Sequence, residues 1–116
     1  MANYSKVNLS ASTNGKQIKV AATATAGTLI HTAQSGTAGW DELWIYATNS
    51  ATNAQKLTVE WGEATSPDGT IEIYVGPESG YVLVIPGLII QNSLDVRAFA
   101  ATTNVILING YVNRIS

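Results

Sequence analysis

Half of the acidic residues in this 116-residue chain fall within one stretch, LTVEWGEATSPDGTIEIYV, which carries Glu60, Glu63, Asp68 and Glu72. Two chemistries use carboxylates gathered in this way. A calcium site takes hard oxygen ligands from a loop, and glycoside hydrolysis holds two carboxyl groups across a cleft, one of them with a raised pKa. The stretch lacks the dense Asp/Asn alternation of a dedicated calcium loop, and nothing around it suggests a cleft. Glu60 and Glu72 occupy outward positions of alternating segments, while Glu63 and Asp68 flank the turn Ser66-Pro67-Asp68-Gly69. The expectation is therefore four solvated acids on a hairpin. His31 is the single histidine and cysteine is absent, so three-histidine zinc sites and thiol nucleophiles are excluded. His31 sits in GTLIHTA with no GxSxG elbow near it, and is read as a structural or surface residue. Walker and GxGxxG loops are missing too. The residue inventory predicts no enzymatic activity, no metal and no cofactor.

The segments that carry these residues alternate with a period of two, the pattern of half-buried strands. QKLTVEWGE places Leu57, Val59 and Trp61 on one face, and TIEIYV does so with Ile71, Ile73 and Val75. DELWIYATN sets Leu43 and Ile45 against Trp44 and Tyr46, and SLDVRAFA sets Leu94, Val96 and Ala98 against Asp95, Arg97 and Phe99. GYVLVIPG and NVILINGYV are more continuously apolar and read as strands covered on both faces. KQIKVAATA and GTLIHTA carry a weaker signal. Turn residues separate the runs at short, even spacing, and no window has helical periodicity. The chain is predicted to be all-β: a single-domain antiparallel sandwich, jelly-roll-like, of about seven or eight strands over residues 15–116. Residues 1–14, MANYSKVNLSASTN, show no clear alternation and read as an extended arm ordered by contact with something else.

Composition narrows the partners. Charged residues make up only 12% of the chain, about half the usual share, which suits a surface partly covered by another protein. A net charge of -2 argues against nucleic acid, and no stretch has the length of a membrane helix. The N-terminus has no signal-peptide core, so synthesis in a cytoplasm is expected. Lys6, Lys16 and Lys19 make the start locally basic, with no acid before Asp41. Trp44 and Tyr46 lie opposite the apolar face of their strand, either inside a second layer or exposed, and an exposed pair would suit an interface. The expected contact residues are thus Tyr4, Lys6, Leu9, Lys16, Lys19, Trp44 and Tyr46.

As a whole, the text "DELWIYATNSATNAQKLTVEWGE", "IEIYVGPESGYVLVIPGLIIQNSLDVRAFA" and "NVILINGYVNRI" resembles small structural proteins of tailed phages. In particular it is similar to the capsid decoration, or cement, proteins with a jelly-roll-like fold. The resemblance runs over about residues 16–115 and rests on strands and turns, without a signature motif or catalytic residues. It implies a homotrimer on the outside of a head shell, bound to the major capsid protein, reinforcing contacts between capsomers in the virion. The alternative from another class is a glycan-binding sandwich module of a tail fibre or secreted enzyme.

Overall fold

The computed structural model describes residues 3–116. Nine strands are present among the described residues: β1 Tyr4–Asn8, β2 Ile18–Lys19, β3 Thr28–Thr32, β4 Trp40–Asn49, β5 Gln55–Trp61, β6 Thr70–Val75, β7 Val82–Ile90, β8 Asp95–Ala100 and β9 Ile106–Ile115. They form two antiparallel sheets packed as a single-domain β-sandwich. The five-stranded sheet runs β1-β9-β4-β7, with β2 also on β9, and the four-stranded sheet runs β3-β8-β5-β6. Because β1 and β2 follow one another along the same edge of β9, they share one position. The two sheets then have the strand order of a jelly roll.

The period-two pattern builds the interior directly. Along β4, Asp41, Leu43, Ile45, Ala47 and Asn49 are buried and the residues between them are not. From β5, β8 and β9 come Leu57, Val59, Val96, Ala98, Ile106, Ile108 and Val112. None of the three Trp, five Tyr and one Phe belongs to this buried core, which is aliphatic throughout. Aliphatic side chains of similar volume fill the space between two sheets in few rotamers. Trp61 packs against this core in part, and the other aromatic residues lie outside it.

Several sequence expectations change. Residues 1 and 2 of the expected arm lie outside the described residues, but Tyr4–Asn8 is a strand paired with β9 from Tyr4↔Ile115 to Asn8↔Tyr111. Leu9, expected at a partner contact, is 0% exposed and packs in the core. The segment is thus ordered by its own domain; Val7 and Leu9 alternate with Lys6 and Asn8, too briefly to stand out among polar neighbours. Leu94, expected inside, is 45% exposed, because β8 begins one residue later and Leu94 belongs to the turn. Trp61, Ile71 and Ile73 pack on the core only in part. For β6 the cause is its place at a sheet edge. β7 also ends its sheet and leaves Leu83, Leu88 and Ile89 exposed, so it is not covered on both faces. β9 is central yet alternates: Ile106, Ile108 and Val112 point inward, and Leu107, Asn109 and Tyr111 are half-buried between them. Among the described residues, no helix is long and apolar enough to cross a membrane.

Candidate functional site

Since successive side chains on a strand point to opposite faces, a buried row on β4 and β9 obliges a second row to point away from the core. On β4 that outer row is Trp40, Glu42, Trp44, Tyr46 and Thr48. The register places Trp44 beside Tyr111, Tyr46 beside Asn109 and Glu42 beside Asn113. β1 adds Lys6 next to Asn113 and Tyr4 next to Ile115. The outer face of the five-stranded sheet is therefore largely aromatic.

Its members are held in place. The rings of Trp44 and Tyr111 stack with centroids 6.3 Å apart and planes 15° from parallel. Lys6 Nζ lies 4.6 Å from the centre of the Tyr111 ring, a cation over the negative face of an aromatic. Trp44 Nε1 donates to Glu42 Oε1 at 2.8 Å, and Asn113 Nδ2 donates to the same oxygen at 3.0 Å. Those two donors, Asn113 first, hold the Glu42 carboxyl below the usual carboxylate range. Below the indole, Gly87 has φ +81° and no space for a side chain: a Cβ there would stand 2.8 Å from Trp44 Cζ2. Tyr46 meets Tyr81 edge-on at 6.4 Å, and the Tyr81 hydroxyl donates to Gln17 Oε1 at 2.7 Å. Gly110 lies between these pairs. Beside it is a notch of about 330 Å³, framed by Tyr46, Tyr81, Tyr111 and Asn109.

The opposite outer face has another chemistry. β5 presents Lys56, Thr58 and Glu60, β6 presents Thr70 and Glu72, and β8 presents Phe99, under the loop Thr23–Thr25 and the turn at Ser66-Pro67. Together they line a cleft of about 440 Å³ rich in hydroxyl groups. Lys56 and Glu72 form an exposed ion pair. Glu60 departs from the solvated role expected of it: it is 3% exposed, and accepts from the Gly27 N–H at 2.6 Å and the Thr25 hydroxyl at 2.5 Å. Its outward orientation is as alternation predicts, but a loop more than thirty residues away in sequence covers it. Glu63 and Asp68 are exposed, as expected. Among the described residues, no three His, Asp or Glu come together as a metal-binding group.

His31 is structural and belongs to a buried cluster. The Ser10 N–H donates to its Nδ1 at 2.9 Å, so the ring proton resides on Nε2 and is donated to Asp41 Oδ2 at 2.8 Å. Arg114 completes the cluster with Nε to Asp41 Oδ1 at 2.8 Å and Nη2 to Oδ2 at 2.9 Å, a two-point contact. Burial pushes the His31 pKa down, and the hydrogen bond and charge of Asp41 only partly oppose it. Burial pushes the Asp41 carboxyl up, but the hydrogen bonds from Arg114 and His31 and the Arg114 charge outweigh this and hold it low. The cluster fastens β3, β4 and β9 to the segment after β1, which is a structural task.

Of the expected contact residues, Tyr4, Lys6, Trp44 and Tyr46 come together on the aromatic face. Lys16 follows the Gly15 that edges the notch, Lys19 is exposed on β2, and Leu9 is withdrawn into the core. Trp40 and Tyr81, which the sequence offers as candidates for stacking on a sugar, are part of the face, and so is Tyr111, which the sequence reading did not single out. Tyr111 carried a usable signal, because N-x-Y-x-N from Asn109 to Asn113 is itself an outer row of period two. None of the protein families, curated proteins or solved structures compared with this chain matches it.

Proposed function

We propose that this is a structural protein without catalytic activity, a capsid decoration protein of a tailed phage, which seats the outer face of its five-stranded sheet on a shell of major capsid protein. The observation that carries the reading is the gathering of six aromatic residues outside the core (Tyr4, Trp40, Trp44, Tyr46, Tyr81 and Tyr111) around that one sheet. Large aromatic side chains are the usual anchors of protein interfaces, and a folded domain gains little from leaving them in water. Lys6 and the Glu42 carboxylate lie on the same face, so its charges balance and the rings carry the contact. The sequence resemblance supplies the identity of the shell.

The notch favours one other reading. Tyr46, Tyr81 and Tyr111 with the Asn109 amide form a small aromatic recess with a polar side, an arrangement that also receives a sugar ring. Both readings are tested by sedimenting the protein with phage capsids that lack it. Co-sedimentation lost in Trp44→Ala/Tyr111→Ala and retained in Phe99→Ala supports docking by this face. Failure of the intact protein to bind capsids, with retention on a polysaccharide column, moves the assignment to glycan binding.

A further inference from the structure

Four asparagines precede Gly or Ser, the residues that leave the next peptide nitrogen least crowded: Asn14, Asn49, Asn92 and Asn109. Three of these positions are locked. Asn49 is 2% exposed, its amide donates to the Asn53 and Val75 carbonyls, and the Ser50 N–H donates to the Val105 carbonyl. After Asn92, the Ser93 N–H donates to the Gln34 carbonyl at 3.0 Å. Asn109 lies in the β4–β9 ladder, its Oδ1 accepting from the Gly110 N–H at 2.9 Å and its Nδ2 donating to the Gly15 carbonyl at 3.0 Å.

Asn14 is different. Thr13, Asn14, Gly15 and Lys16 are all exposed and form a tight turn, closed by the Lys16 N–H on the Thr13 carbonyl at 2.9 Å. Positive φ at both central residues, +54° and +86°, is the conformation that Asn-Gly adopts most readily. Neither the Asn14 carboxamide nor the Gly15 N–H has a hydrogen-bond partner among the described residues. Beyond its chain neighbours, a Cβ at Gly15 would meet no atom nearer than 3.9 Å, so no other part of the fold covers this side of the turn. Its remaining ties, Ser12 Oγ–H to the Lys16 carbonyl and Asn109 Nδ2–H to the Gly15 carbonyl, are at the surface. A turn held in this way opens without loss of the core.

We propose that Asn14-Gly15 is a site of spontaneous covalent modification at the edge of the notch. The Gly15 nitrogen gives its proton to hydroxide and attacks Asn14 Cγ; the Cγ–Nδ2 bond breaks, and Nδ2 takes a proton from water and leaves as ammonia. Hydroxide is regenerated and a five-membered succinimide remains. Water then adds to either ring carbonyl. Breaking the bond from Cγ to nitrogen gives aspartate, and breaking the bond from the main-chain carbonyl carbon to nitrogen gives isoaspartate, whose chain runs through Cγ. The sum is one water consumed and one ammonia released. Both products set a carboxylate beside Lys16. Isoaspartate also lengthens the main chain by one carbon, which displaces the Gly15 carbonyl from the Asn109 amide and alters the rim of the notch. The reaction depends on the turn alone and is independent of what the aromatic face binds.

Incubating the folded protein in heavy-oxygen water at mildly alkaline pH, followed by peptide mass mapping, tests it. Aspartate and isoaspartate carrying one heavy oxygen should accumulate at position 14 about tenfold or more faster than at positions 49, 92 and 109, which must open first. The rate should rise with pH, since the nitrogen attacks only after losing its proton. In urea the lead over Asn109 should vanish, because both residues then precede glycine in an open chain. Asn14→Gly tolerates the positive φ and lacks the carboxamide; its melt should match wild type and the heavy oxygen in this peptide should disappear. Native Asn14 that stays intact while the urea-unfolded chain converts overturns the proposal. So does native conversion led by Asn109, a lead of Asn14 that survives in urea, or label that persists in the Asn14→Gly variant.

Discussion

The two outer faces of this sandwich arise from the same alternation and cover the same kind of aliphatic interior, yet they differ in what they present. Over the four-stranded sheet the charged outward residues are paired, although Tyr74 on the edge strand β6 is 71% exposed. Lys56 pairs with Glu72, Arg97 with Asp95, and Glu60 is fastened to the loop above it. Over the five-stranded sheet, the outward residues are rings whose polar tips reach only a few neighbours, such as Glu42 and Gln17. A face complete in itself has a structural use, whereas one that spends its aromatic side chains on solvent is suited to an external contact. The period of two assigns side chains to inside or outside; the composition of the outer row tells the two outsides apart.

The largest expected effect strikes the base of the aromatic face. A Cβ at Gly110 would stand 2.0 Å from the Trp44 carbonyl oxygen, within the β4–β9 ladder, at φ +157°. Gly110→Ala should cost about 3 kcal/mol or abolish folding, read by urea denaturation. A stability near wild type would mean that the two strands can separate at this point and that the notch is not rigid.

Next comes the complementary change on the other face. Glu60→Ala leaves the buried Gly27 N–H without its acceptor and frees the Thr25 hydroxyl, at a cost of about 2 kcal/mol. Capsid binding by the folded fraction should be unchanged. Trp44→Ala should show the reverse balance. Its half-buried ring contributes about 1 kcal/mol to stability but about 2 kcal/mol or more to the complex, if it is an interface anchor. Equal effects of both substitutions on binding would erase the distinction between the faces.

How much of this was legible beforehand depends on the range of the interactions. Leu43, Ile45, Leu57, Val59 and Val96 were placed correctly, because alternation within five to ten residues is enough to fix them. Trp44 and Tyr46 followed from the same rule. The burial of Glu60 did not, because the covering loop is distant in sequence, and neither did the His31–Asp41–Arg114 cluster, whose members are brought together only by the β3, β4 and β9 pairings. Ile89 and Leu94 look like core residues in text, and are exposed because β7 is an edge and Leu94 a turn residue. Whether a strand is central or terminal is set by topology, which periodicity does not encode.

Smaller effects should follow acidification. The His31 pKa is lowered from its ordinary value of 6.5 by burial, so the unfolded chain takes up a proton at a pH where the folded one does not. Stability should therefore fall as pH drops below about 6.5, towards the lowered value in the folded state. Asp41, held below its ordinary 3.8, adds a second loss when the pH falls below that value. Protonation of His31 at Nδ1 would also set a donor against the Ser10 N–H, loosening the segment that follows β1. In a thermal melt series, His31→Gln should remove the first of the two losses; an unchanged profile would place the titration elsewhere. Least of all should come Lys56→Ala, which removes an exposed pair and should leave the melting midpoint within experimental scatter.

One arrangement bears on how the molecule is made. β9 follows the other eight strands in sequence and stands in the middle of its sheet, with β4 on one side and β1 and β2 on the other. A chain synthesised from its N-terminal end exposes β1, β2 and β4 long before their common partner exists. Until Ile106–Ile115 emerges, Leu43 and Ile45 have no completed sheet to close over them, and the first strand has nothing to pair with. Assembly of this sheet is therefore a late, nearly concerted event, with the long loop closures that slow such folding. Loss of Ile106–Ile115 would remove the centre of the sheet, and a nascent chain arrested just short of it would present its apolar strands to whatever chaperone or aggregate reaches them first.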